Sequence, residues 1–288
     1  MKNHFLCATL VALTSSFLAP TLHAQAPVLE FPAPSPTTTT KQKVGITDVE
    51  VVYSRPSAKG RKIFGDLVPY GELWRTGANA ATKITFGTDV KFHGAAVPAG
   101  SYALFTIPDA AEWTVILSKV AEQSGTSTYD PKNDLLRVKV KPVALANPVE
   151  SFRITLEDLR DDSASLTLAW EKTSVPIQIE TDIVAMLVPK IQAAMAAEGK
   201  KPYYQAAMFY YEHDLDMKLA TQWMAEACKE RPDTYWMVHR QGLILAKAGD
   251  KAAAIDAANR SMELASKIGG ATAAEYKRLN EALIAGLK

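Results

Sequence analysis

Hydrophobic and polar positions alternate with a period of two through most of the first two thirds of the chain. Ile84 and Phe86 are set against Lys83 and Thr85, and Val90 and Phe92 against Lys91 and His93. Val138 and Val140 alternate with Arg137, Lys139 and Lys141. Phe152, Ile154 and Leu156 alternate with Arg153, Thr155 and Glu157, and Leu166, Leu168 and Trp170 with Thr167, Ala169 and Glu171. One apolar and one polar face per segment predicts antiparallel strands wetted on one side. Turn residues separate the segments: Gly87-Thr88-Asp89, Val97-Pro98-Ala99-Gly100, Pro108-Asp109 and Arg160-Asp161-Asp162-Ser163. About eight short strands at this spacing predict a β-sandwich, with a barrel as the alternative that spacing leaves open.

From residue 182 the period becomes helical. Asp182 is placed to cap a helix reaching about Glu198, with Pro189 kinking it or marking a restart. Beyond it a spacing of 34 relates Asp216 to Asp250 and Ala220 to Ala254, and Pro232 closes the first unit. This resembles the tetratricopeptide repeat, in which small residues let helices pack closely. A final helix is expected to start at a capping box, Thr272-x-x-Glu275, and to show Tyr276, Leu279, Leu283 and Leu287 on one face. The predicted fold class is α+β multidomain: an antiparallel β-sandwich over 44–181, then an all-α helical-repeat domain over 182–288.

The N-terminus reads as an export signal. Lys2 precedes an uncharged apolar run from Phe5 to Leu18, and small residues offer cleavage near Ala24 or Ala26. The run is shorter than the ~20 residues of a membrane span, and no later stretch qualifies, so no transmembrane segment is expected after cleavage. The mature protein is expected in the periplasm or medium. Residues 25–43, with four prolines and four consecutive threonines, read as a linker without fixed structure.

Composition narrows the partners. Removing residues 1–24 takes Lys2 from the 32 basic residues and nothing from the 31 acidic ones, leaving a formally neutral chain. Such a chain has no global field for nucleic acid. Cys228, the one cysteine after the leader, sits among apolar neighbours and reads as a buried small hydrophobe. Phosphate-loop, zinc-protease, nucleophile-elbow, CxxC and dinucleotide patterns are all missing, so no cofactor is expected. His93, His213 and His239 show no i, i+4 pairing, and Asp130, Asn133 and Asp134 lack EF-hand spacing, so no metal site is expected either.

Two connections are long for a β-domain. Ser118–Asp134 is polar and reads as a mobile surface loop. Phe64–Asn79 carries Phe64, Tyr70, Trp74 and Arg75 among three glycines, with Arg55 and Arg61 just before it. Either this loop forms a site, its aromatics anchoring a glycan or peptide and its guanidinium groups an anion, or Trp74 plugs the end of the sandwich while Arg75 bonds backbone carbonyls. The candidate ligand-binding residues are Arg55, Arg61, Tyr70, Trp74, Arg75 and Asn79.

The order Tyr53-Ser54-Arg55-Pro56, Gly60-Arg61, Trp74-Arg75-Thr76-Gly77-Ala78-Asn79 with Ala81-Thr82, and Ala99-Gly100-Ser101-Tyr102-Ala103-Leu104-Phe105 resembles the bacterial family known as domain of unknown function 2911, over about 44–181. The resemblance implies an exported protein of Gram-negative bacteria, sometimes with helical repeats following, and brings no activity. The expected function is a non-catalytic binding or interaction module of the envelope. Its partner would be a peptide, a protein or a small polar or glycan ligand at the 55–79 edge. The alternatives are a hydrolase or isomerase with an acid/base site there, and a purely structural assembly subunit.

Overall fold

The computed structural model of the chain describes residues 31–287. The expected leader, its cleavage point and the start of the linker lie outside the described residues.

Among the described residues ten strands form two antiparallel sheets, neither closed into a barrel. The six-stranded sheet has the order β1-β2-β3-β6-β7-β8, with β1 Thr37–Val44, β2 Thr47–Ser54, β3 Ala78–Phe86, β6 Gly100–Ile107, β7 Trp113–Ser118 and β8 Asp134–Val140. The four-stranded sheet has the order β5-β4-β10-β9, with β4 Val90–Phe92, β5 Ala95–Val97, β9 Val143–Glu157 and β10 Ser163–Glu180. After β3 the chain leaves the first sheet, makes the β4–β5 hairpin in the second, and returns as β6. That hairpin turns through His93 and Gly94, both at positive φ, which is the two-residue geometry that matches strand twist. His93 therefore belongs to the turn and not to a polar strand face.

Alternating apolar positions meet between the sheets. Val51, Ile84, Phe86, Leu104, Val115 and Leu117 from one face Phe92, Phe152, Ile154, Leu168, Trp170 and Ile177 from the other. On β6 and β7 the alternation gives way to continuous burial, because the outer face of that sheet is covered as well. Phe105, Ile116, Ala81 and Ala103 form a second apolar cluster there, packed by Leu73 and Tyr129.

The threonine run and the Ser118–Asp134 loop both depart from the sequence expectation. The threonine run is not a linker: Thr37–Val44 is edge strand β1, paired with β2 from Thr37↔Ser54 to Val44↔Thr47. The last proline, Pro36, stops one residue short of it, and β-branched threonines suit an extended, half-exposed strand. Nor does Ser118–Asp134 hang free. Gln123 donates to Val120 O at 2.7 Å and accepts Ala81 N–H on its own backbone carbonyl at 2.9 Å, while Tyr129 packs edge-on against Phe105. A backbone bond and an aromatic contact hold this loop to the sheet, which its polar composition conceals.

Six helices follow: α1 Ile183–Ala196, α2 Tyr203–Glu212, α3 Met217–Glu230, α4 Tyr235–Lys247, α5 Lys251–Ile268 and α6 Gly270–Leu287. Asp182 caps α1 through Ala185 N–H, and α1 runs through Pro189 without a break. Asp216 caps α3 and Asp250 caps α5, each by accepting N–H groups of the first turn. Ala220 and Ala254 are fully buried. Gly242 lets α4 approach its neighbours; a Cβ there would stand 3.1 Å from Leu283 Cδ2 and 3.3 Å from Ala254 O. α6 begins at Gly270, so Thr272 lies inside the helix and caps nothing. The face bearing Tyr276, Leu279 and Leu283 carries a polar residue at its centre: Asn280 is fully buried, bonded to His239 Nδ1 at 2.8 Å and Ser261 Oγ at 3.0 Å. None of the helices described is long and apolar enough to cross a membrane.

The helices join the sandwich through few contacts. His213 at the end of α2 lies 3.4 Å from Asp161 in the β9–β10 turn. A cleft of about 470 Å3 remains at this junction, lined by Lys91, Asp162, Glu180 and His213 among others.

Candidate functional site

The 64–79 loop is framed by hydrogen bonds before any side chain is considered. Trp74 and Thr106 exchange both backbone bonds, at 2.7 and 2.9 Å, so the loop joins the edge of β6. Thr82 N–H then donates to Arg75 O at 3.1 Å, and Thr82 Oγ1 to Thr76 O at 2.5 Å. Thr76 is fully buried at φ 54°, a left-handed conformation in which a β-branched residue is strained. Gly77 must be glycine, because a Cβ would stand 3.0 Å from Ser54 O at a φ of 153°.

This frame sends consecutive side chains in opposite directions. Trp74 goes inward and is 7% exposed. Its indole stacks on Trp170 at 5.9 Å and 20°, meets Phe152, Phe64 and Trp113 edge-on at 5.0 to 6.3 Å, and donates Nε1–H to Gly77 O at 3.1 Å. It plugs the sandwich and leaves no ring face for a sugar. Arg75 goes outward to the wall of a cleft of about 360 Å3. Among the described residues its side chain bonds no backbone carbonyl and no carboxylate, and its Nε is closed off from solvent without a hydrogen-bond partner. A buried donor of a charged group left unpaired is unfavourable by about 1–3 kcal/mol or more, so an arginine held in this way calls for an explanation.

The other candidate residues divide. Arg61 lines the same cleft, oriented by Nε to Ala58 O at 3.0 Å and Nη2 to Ser57 O at 2.7 Å. Arg55 is a tie between sheets, donating Nε–H to Phe152 O at 3.1 Å. Asn79, at φ 60°, donates to Ser35 O and Ser54 Oγ and holds the incoming chain. Tyr70, 44% exposed, borders a separate cleft of about 190 Å3 with Phe64, Trp113, Val143 and Lys172. The structure thus brings together Arg61, Trp74 and Arg75, and leaves Arg55, Tyr70 and Asn79 outside. Phe64 and Tyr70 turn to the smaller cleft while their loop neighbours Leu67, Val68, Pro69 and Glu72 border the larger one, and Arg55 and Asn79 are taken up by bonds to Phe152 O, Ser35 O and Ser54 Oγ.

Among the other lining residues, sequence reasoning did not single out Glu72, Ser35, Thr126 or Trp170. Glu72 lies within the same loop as Trp74 and Arg75, and nothing in its local pattern marks it out. Ser35 and Thr126 come from segments read as unstructured, and only the fold brings them here.

The remaining chemistry-bearing groups are built into the structure. Tyr129 donates to Asp134, which also holds Arg137 Nε at 2.7 Å. Burial, with the Asp134 hydrogen bond, pushes the Tyr129 phenol up to about 12. Asp130 caps a short 3-10 turn, Pro131–Asn133, through Lys132 N–H. Burial alone pushes the Cys228 thiol up to about 11, so it stays protonated at neutral pH. Among the described residues no group of three or more His, Cys, Asp or Glu is placed to hold a metal ion.

No curated protein and no solved structure matches the chain. One protein family does, described as "Protein of unknown function (DUF2911)", and the match runs over residues 35–179. It begins just before β1 and ends within β10, taking in both sheets and the Arg75 loop. Covering half of the sequence, it shows that the chain belongs to the DUF2911 family.

Proposed function

We propose that the protein is a non-catalytic binding module of the bacterial envelope, with a small-anion site at the Arg61–Arg75 cleft. One observation carries the reading. Arg75 extends from a loop pinned to Thr82 and Thr106, lines a cleft of small-ligand size, and has no side-chain partner among the described residues. Guanidinium groups on rigid frames pair with carboxylate and phosphate bidentately. Arg61 adds a second cation, oriented by two backbone carbonyls.

Export follows from the leader pattern, and the module would act in the periplasm or medium. The helices, with two aspartate-capped units at a spacing of 34 and fully buried alanines at their matching positions, support a tetratricopeptide-like array that receives a peptide or protein partner. The burial of Trp74 favours a second reading, a structural subunit in which the loop serves only folding.

Calorimetric titration of the mature protein with inorganic phosphate, succinate and L-glutamate separates the two. The binding reading requires saturable binding of at least one probe, lost in Arg75→Ala with folding unchanged. Absence of binding by all three favours the structural subunit. Cell fractionation with N-terminal sequencing tests export, and an intact Met1 on cytoplasmic material would overturn it.

A further inference from the structure

We infer that the ligand of the Arg75 cleft is a small zwitterion with an excess of carboxylate, namely an acidic amino acid or a dipeptide containing one. The inference rests on the anion-binding reading above and adds the identity of the charges.

Three charged side chains line the cleft: Arg61, Arg75 and Glu72. Opposite charges in a space of about 360 Å3 would be expected to pair, yet none of the three forms an ion pair among the described residues. Each is carried on a separately fixed stretch of chain. Arg61 is oriented by the carbonyls of Ser57 and Ala58, and Arg75 extends from the segment pinned to Thr82 and Thr106. Glu72 sits two residues after Tyr70, where Gly71 N–H is bonded to Pro108 O at 2.9 Å.

A molecule between them therefore meets two positive walls and one negative wall. A simple dianion would answer both arginines and be repelled by Glu72. A neutral zwitterion such as glycine would answer Glu72 and one arginine only. Two carboxylates and one ammonium answer all three. The uncharged lining fits the same class: Leu67, Val68 and Pro69 offer an apolar wall for a short methylene chain. A sugar is disfavoured because both tryptophans in the lining are buried in the core and present no stacking face.

The test is calorimetry on the mature full-length protein with L-glutamate, succinate, glycine and inorganic phosphate, repeated for Arg75→Ala and Glu72→Gln. In the wild type, L-glutamate should bind about tenfold or more tighter than succinate or glycine. Arg75→Ala should weaken L-glutamate about tenfold or more. Glu72→Gln should abolish the preference, weakening L-glutamate while leaving succinate equal or tighter. Near-UV circular dichroism of both variants should match the wild type, because neither residue makes a fixed bond. If succinate or phosphate binds as tightly as L-glutamate and Glu72→Gln strengthens all anions alike, the zwitterion inference is overturned and the anion site stands. If no probe binds, or if binding survives Arg75→Ala, both are overturned.

Discussion

The Tyr53 hydroxyl accepts the N–H of Ile154 at 2.8 Å and donates to the carbonyl of the same residue at 3.2 Å. One side chain of β2 thereby satisfies both polar groups of a residue on β9, the edge strand of the opposite sheet, along the side that β10 does not cover. Its ring packs edge-on against Phe152 at 5.8 Å. Tyr53→Phe would keep that packing and leave two buried backbone groups unpaired, so a loss of about 1–3 kcal/mol is expected. Urea unfolding measures it as a lower midpoint at unchanged slope. An unchanged midpoint would show that water replaces the hydroxyl.

Neighbours in the loop should respond oppositely to truncation. Trp74→Ala removes a core indole with four aromatic neighbours and should destabilise by about 3–5 kcal/mol. Arg75→Ala removes no bond and relieves a solvent-excluded donor, so its stability should lie within about 0.5 kcal/mol of wild type or above it. A loss of more than about 2 kcal/mol in Arg75→Ala would assign the residue to folding and deprive the cleft of its main cation.

The legible parts of this chain are those where a local pattern has a local cause. Alternation on Phe152, Ile154 and Leu168 reflects pleat geometry, and Asp216 and Asp250 cap their helices within their own first turns. Thr37–Thr40 misled because a strand next to prolines has the composition of a linker; pairing with β2 decides it, and pairing is not local. The candidate site was half readable for the same reason. Arg61 and Arg75 lie in one segment and could be grouped by eye, whereas Ser35 and Thr126 reach the cleft only through the fold. Arg55 and Asn79 belong to the same motif, but the structure uses them to hold backbone in place.

The helical module can be tested at its equivalent alanines. Ala220 and Ala254 have no exposed surface, and either one changed to tryptophan should overpack a helix crossing. The expected loss is about 1–3 kcal/mol or more, read by thermal unfolding. Unaltered unfolding in both variants would contradict close packing at these positions.

Alkaline pH should loosen the clamp on the outer sheet face. In the unfolded chain the Tyr129 phenol ionises near its ordinary 10.0, and in the folded protein near about 12, through burial and its bond to Asp134. The stability it contributes is fully present below pH 10 and lost as pH rises toward 12. Tyr129→Phe should be less stable than wild type by about 1 kcal/mol at pH 8, and this gap should close above pH 10. A gap constant to pH 12 would place the phenol outside the linkage.

The stacking of Trp74 on Trp170 has a spectroscopic consequence. Three of the five tryptophans, Trp74, Trp113 and Trp170, lie in the sandwich core, while Trp223 and Trp236 are only partly buried against the helical core. Indoles 5.9 Å apart with their planes 20° from parallel couple their electronic transitions. The near-ultraviolet dichroism of the native chain should therefore be dominated by the sandwich, whereas acrylamide should quench the helical pair first. The two modules carry separate intrinsic chromophores, and their melting can be followed independently without a label.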